Sequence, residues 1–188
     1  MKSVALFGNA RKNLGKSDSR VLRSEGKVPC VLYGGKENVH FSSYVSDFKD
    51  LVYTPNTYLV KLDIDGTTYR ASLQDIQFHP VNDVIIHADF LQVFDDKPIV
   101  INVPVRIVGN SPGVRQGGKL QQRLKKLKVK ALPAHLPDYV EVNIDSLEMG
   151  KSIRVGEIAT SNYQILDAAS NPVVSVVATR ASKEAATT

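Results

Sequence analysis

Cysteine is almost absent: one residue, Cys30, in a chain of 188. A single thiol cannot staple a fold through disulfides and cannot fill a four-ligand zinc site. No apolar run approaches the roughly 20 residues that cross a bilayer as a helix. The opening stretch MKSVALFGNARKN has no long apolar core and no small-residue cleavage site, so no secretory signal is expected. Acidic residues are missing from 115–130, where seven Lys and Arg stand. What is there is ordinary for a folded domain: 43% hydrophobic and 23% charged residues. The length suits one large domain or two small ones. A cytoplasmic globular protein is expected.

The net charge of +5 is unevenly spread. Residues 1–36 hold eight basic residues against two acids, and residues 37–95 hold three against nine. Residues 96–188 return to thirteen against eight. A single basic segment is as readily a solvated face as a binding surface. Two separated ones favour a polyanion as partner.

Period-2 alternation dominates the chain. SVALFGNA and VPCVLYGG read as strands, and Tyr58, Val60, Leu62 and Ile64 alternate with Leu59, Lys61 and Asp63. Asp65-Gly66 marks a two-residue hairpin turn, followed by a returning strand through Tyr69, Ala71, Leu73 and Asp75. VIIHADFLQVF is a further strand, reached by a loop at Pro80 and Asn82-Asp83. One short helix is expected after Ser17, with Gly26 as its left-handed terminator, and another after Ser46. A boundary falls at Asp95–Pro98. Beyond it IVINVPVRIVG, a Gly-rich loop GNSPGVRQGGKL, LKVKALP, YVEVNIDSL, SIRVGEI and VVSVVAT predict a second all-β domain, with helical turns near Ser146-Leu147 and Val155–Ile158. The domains are read as 1–95, 96–180 and a polar tail at 181–188.

No enzyme emerges. Ala10-Arg-Lys-Asn-Leu-Gly15-Lys16-Ser17 resembles a phosphate-binding loop, but Ala10 occupies the place of the first glycine, where the backbone must wrap the phosphates. His87 and Asp89 leave one face of a strand, yet with four histidines in all a metal site would need further carboxylates. No serine has the setting of a nucleophile, and Cys30 lies in an apolar run that suits an inert core thiol. No cofactor is expected.

RNA binding fits better. Arg11, Lys12, Lys16, Arg20, Arg23 and Lys27 surround one loop–helix unit, where phosphate contacts supply affinity and Arg forks can read guanine edges. Tyr33, before Gly34-Gly35, is either an exposed ring for a base or ribose or a rim tyrosine. Asp89 is odd on an RNA-facing sheet unless it accepts from base amino groups or orients a neighbouring Arg.

R-K-x-x-G-K-S-x-S-R-x-L-R-x-x-G-x-V-P at 11–29, V-L-Y-G-G at 31–35, L-Q-D-I-Q-x-H-P-V at 73–81 and H-x-D-F at 87–90 resemble the 5S ribosomal RNA-binding family of the bacterial large subunit, ribosomal L-twenty-five. The second half is similar to its longer, two-domain form, the general stress protein CTC type. It carries P-V-x-x-x-G-x-S-P-G-V-x-x-G-G-x-L at 104–120, L-P-A-H-L-P at 132–137 and L-x-x-G-x-S-I at 147–153. The resemblance implies an N-terminal six-stranded β-barrel with short helices, docking on loop E of 5S ribosomal RNA, plus a C-terminal all-β domain. Magnesium is then expected on the RNA, not on a protein site. The implied contacts fall on Arg11, Lys16, Arg20, Arg23, Tyr33, Gln74, His87 and Asp89, with Lys12, Gln77 and His79 as secondary candidates. Some relatives place an arginine at the position of Val21, so one phosphate contact is absent here.

The implied role is a non-catalytic constituent of the large subunit that helps anchor its central protuberance during translation. The second domain, through Arg115, Lys119, Arg123, Lys125, Lys126 and Lys128, is expected to add ribosomal RNA or neighbouring-protein contacts, unless this is a solvent-facing basic strand. The competing reading is a stress-response interaction protein acting mainly through its C-terminal domain. No membrane or small-molecule partner is expected.

Overall fold

A computed structural model describes residues 2–179. The tail expected at 181–188 lies outside them. The chain divides into two compact units, Met1–Ile101 with Leu132–Ala134, and Asn102–Ala131 with the chain from His135 onward.

The first unit is a closed six-stranded barrel built from β1 (Ser3–Ala10), β2 (Lys27–Tyr33), β3 (Val39–Tyr44), β4 (Leu59–Ile64), β5 (Thr67–Phe78) and β6 (Ile85–Gln92). Around the ring the order is β1-β3-β2-β6-β5-β4. Two contacts, β1 with β4 and β2 with β6, are parallel, and the others are antiparallel. Closure leaves no strand edge unpaired. Alternation sends Leu6, Val28, Cys30, Leu32, Phe41, Val60, Leu62, Ala71, Ala88 and Phe90 inward, all essentially without solvent. Phe90 sits between Phe41 and Phe48, ring centroids 5.7 and 6.4 Å away. Phe48 and Leu51 enter this core from a 3-10 turn (Val45–Phe48) running into α2 (Lys49–Val52).

The hairpin turn between β4 and β5 is as expected, with Asp65 and Gly66 at φ +49° and +84°. Asp63 and Asp65 stabilise it by accepting from the backbone amides of Gly66 and Ala10 at 2.9 and 3.1 Å. Helix α1 (Lys16–Ser24) ends before Gly26 at φ +74°, as the sequence predicts. Its start differs. Gly15 takes the cap position and Ser17 lies inside the first turn, because the Gly15 carbonyl already holds the Ser19 amide and hydroxyl, each at 3.1 Å. Ser46 is likewise no cap. It lies within the 3-10 turn and donates to its neighbour Asp47 at 3.0 Å.

The second unit is β-rich. β7 (Ile99–Val108), β9 (Lys126–Ala131), β10 (Val140–Asn143) and β12 (Gln164–Ile165) form one sheet in the order β10-β7-β9-β12. β8 (Lys119–Gln122), β11 (Ser152–Arg154) and β13 (Pro172–Val177) form another, with β13 central. The Gly-rich loop holds a one-turn helix, α3 (Pro112–Arg115), capped by Ser111, whose hydroxyl accepts from Val114 and donates to the Leu147 carbonyl. A 3-10 turn forms at Val155–Glu157 as expected, but Ser146-Leu147 is a hydrogen-bonded turn and not a helix, held by Leu147 N–H to Ile144 O.

Candidate nucleic-acid interface

Strand β6 carries Ala88 and Phe90 into the barrel, so His87 and Asp89 stand on its outer surface. Their side chains meet: His87 Nδ1 lies 2.7 Å from Asp89 Oδ1, an ion pair when the ring is protonated, each side chain 30% exposed. That Oδ1 is otherwise enclosed, its close polar contact being the His87 ring. The Asp89 side chain as a whole is partly exposed, so its carboxylate still presents acceptor capacity on the outer face.

Strand β5 completes the pattern. Its register with β6 shifts between Leu73 and Asp75, so Gln74 is the extra residue of a bulge and Asp75 falls opposite Asp89, with Gln77 opposite His87. Two carboxylates directly across from each other on one face repel. Bulges and local penalties of this kind gather at functional surfaces. On the other side of β6, Val31 of β2 lies opposite Asp89 and Tyr33 opposite Leu91. Partial burial, then the charges of Asp89 and Asp75, push the Tyr33 hydroxyl above its ordinary pKa, which keeps it a neutral donor. Gly34 lets the chain turn away at once: at φ +91°, a Cβ there would stand 2.7 Å from Leu91 Cδ1.

Helix α1 borders this face. Arg23 Nε donates to the Ile86 carbonyl at 3.0 Å, docking the helix end one residue before His87. Lys12, Lys16 and Arg20 are exposed, and among the described residues their side chains have no hydrogen bond or ion pair. They are free to meet phosphates.

Three expected contacts are placed differently from these. The Arg11 side chain is only 9% exposed, and its Nη2 donates to Asp18 Oδ2 at 2.8 Å, to Ser19 Oγ at 3.1 Å and to the Asn13 carbonyl at 3.3 Å. It clamps the loop to α1 instead of reaching outward. Gln74 turns to Ser72 Oγ at 3.0 Å and the Val100 carbonyl at 3.2 Å. His79 organises its own turn, its Nδ1 accepting from Val81 N–H at 3.3 Å. Cys30 is buried, and desolvation pushes its thiol far above the ordinary range, as suits an inert core group. Asp75 was not singled out from sequence; its signal was an acid inside the alternating run LQDIQ, on the same parity as Gln77.

In the second unit, the basic run divides. Lys126, Lys128 and Lys130 alternate with buried Leu127, Val129 and Ala131 along β9. Arg115 ends α3, Lys119 lies on β8 in the other sheet, and Arg123 and Lys125 occupy the connection into β9. These four cations are exposed too. Among the described residues, no group of three or more His, Cys, Asp or Glu could hold a metal ion, and no helix is long and apolar enough to cross a membrane.

Residues 6–90 match the sequence model of the "Ribosomal L25p family", and residues 98–180 that of "Ribosomal protein TL5, C-terminal domain". Among curated proteins, the chain is 49% identical to the "Large ribosomal subunit protein bL25" of Amoebophilus asiaticus, covering 96% of this chain and 92% of the relative. The protein of that name from Cytophaga hutchinsonii is 45% identical, with 98% and 96% covered. The one from Phocaeicola vulgatus is 44% identical, with 100% and 98% covered. With barrel, all-β second unit and both family matches in chain order, this protein belongs to the bL25 family of large-subunit ribosomal proteins, structural and non-enzymatic constituents of the translation machinery.

Proposed function

We propose that the barrel binds 5S ribosomal RNA at loop E through the outer face of β2, β5 and β6, with α1 gripping the adjacent backbone, and thereby helps anchor the central protuberance of cytoplasmic ribosomes. The observation that carries this is the partly exposed Asp89 carboxylate, in contact with His87 on the outer face of β6 and opposite Asp75 across the ladder. An acidic strip is the wrong surface for phosphates but the right one for a shallow RNA minor groove, which displays ribose hydroxyls and guanine amino groups as donors. Lys16 and Arg20 on the neighbouring helix supply the phosphate contacts that the strip cannot. Residues 1–95 carry eleven basic and eleven acidic residues, so affinity there must come from local complementarity and not from net charge. The protein contributes no cofactor in this reading, and magnesium belongs to the folded RNA.

The test is a titration of the full chain against a 5S RNA fragment containing loop E, with a plain RNA duplex of equal length as competitor. Preference for loop E that falls about tenfold or more on Asp89→Ala supports base-edge recognition. Equal binding to both RNAs, unaffected by Asp89→Ala, overturns the reading.

A further inference from the structure

The second unit carries an unpartnered basic sheet face that the barrel's RNA reading does not use. We propose that the outer face of β7 and β9 tracks the phosphate backbone of structured RNA, making this protein a two-site RNA binder. On β9, Lys126, Lys128 and Lys130 are exposed while Leu127, Val129 and Ala131 fill the core, so the three ammonium groups leave one face in a row. Successive members of that row are about 6.6 Å apart along the strand, a repeat comparable with that of phosphates along one nucleic-acid strand. Among the described residues, no ion pair or side-chain hydrogen bond engages any of the three.

Strand β7, next to β9 in the sheet, adds a fourth cation. Its Ile101 and Val103 point inward, which puts Arg106 outward, where its guanidinium lies 5.0 Å from the centroid of the Tyr139 ring. Two acids share the region. Glu141 pairs with Arg106 in the β7–β10 register, and Asp167 accepts from the Lys128 backbone amide at 2.7 Å. Four cations against two acids leave the surface basic, with the excess on β9. A protein interface is usually built on buried aromatic anchors and is depleted in lysine; the centre of this face is lysine. Compact, regularly spaced ammonium groups suit a polyanion. The four other cations of the run, Arg115, Lys119, Arg123 and Lys125, lie off β9 and are not required.

The experiment uses the full chain and a mixed-sequence RNA duplex without internal loops, titrated over a salt series. The triple variant Lys126→Gln, Lys128→Gln, Lys130→Gln should flatten the log affinity against log salt slope by about 2 to 3 and weaken binding about tenfold or more at low salt. Replacing the same three with Arg should restore both, which separates charge from misfolding. The loop E preference of the triple variant should persist, so failure here is distinguishable from failure of the barrel reading. An unchanged slope overturns the proposal. So does unchanged duplex binding combined with lost retention on salt-washed large subunits, which would assign the face to an acidic protein surface.

Discussion

Arg11 and Arg20 belong to the same loop–helix unit, yet substitution should separate them. Arg11→Ala removes three hydrogen bonds from a nearly enclosed guanidinium and leaves Asp18 without its partner. The expected loss is about 1–3 kcal/mol of stability, read by denaturant unfolding, with any effect on RNA following from the loosened loop. Arg20 is exposed and unpaired, so Arg20→Ala should change stability by less than about 0.5 kcal/mol. It should instead lower the salt slope of loop E binding by about 1. The buried thiol gives a pH signature. Because burial raises the pKa of Cys30, the folded state keeps the proton that the unfolded chain loses near the ordinary value of about 8.5. Above that pH the native state binds more protons than the unfolded one, so stability falls as pH rises. Unfolding curves at pH 8 and pH 10 should show the decline, and Cys30→Ala should remove that component of it. At this scale the sequence was a mixed guide. Alternation placed His87 and Asp89 on one face correctly, because period 2 is local. That Arg11 turns inward was not legible, since Asp18 and Ser19 capture it only once the helix has formed.

Among the elements, β2 and β6 were readable because both carry continuous apolar alternation between turn signals. Strand β3 was missed: ENVHFSSY has only Val39 and Phe41 as apolar β-formers, and it is a strand because β1 and β2 pair with it on both sides. Strands β8 and β12 were missed for the same reason, being short segments fixed by β13 and β9. The bulge at Gln74 was beyond any local pattern, as it exists only in the register with β6. That bulge is testable as an element. Deleting Gln74 should restore a regular ladder that keeps Asp75 opposite Asp89 and Gln77 opposite His87, remove the local bend of β5, and reduce loop E affinity in the same titration. The Gly34 turn lies at the end of β2, on the other side of β6. Gly34→Ala places a methyl against Leu91 at a left-handed backbone position. It should destabilise the barrel by about 1–3 kcal/mol, measured as a lowered midpoint of denaturation.

Taken whole, the molecule divides its charge by task. The barrel unit holds nearly balanced charge with an acidic strip beside a basic helix, while the second unit sets three of its lysines in a row on one strand of a sheet. On the proposed reading, selectivity and salt-sensitive affinity belong to different places. Raising salt from about 0.1 to 0.5 M should therefore erase duplex binding before it erases the preference for loop E. Competition titrations at the two salts check this, and simultaneous loss of both would contradict it.

Barrel closure also imposes a schedule on synthesis. Strand β1 leaves the exit tunnel first, yet one of its two neighbours is β4, some fifty residues later, and β2 waits for β6 on its parallel side. Until Gln92 has emerged the ring is open, and both edges offer unpaired backbone to any passing strand. Tyr33, Asp75, His87 and Asp89 sit on three strands that join only at that moment. A nascent chain thus has no assembled β2–β5–β6 face until the barrel is complete, so on the proposed reading a half-made copy has no means of occupying the place of a finished one.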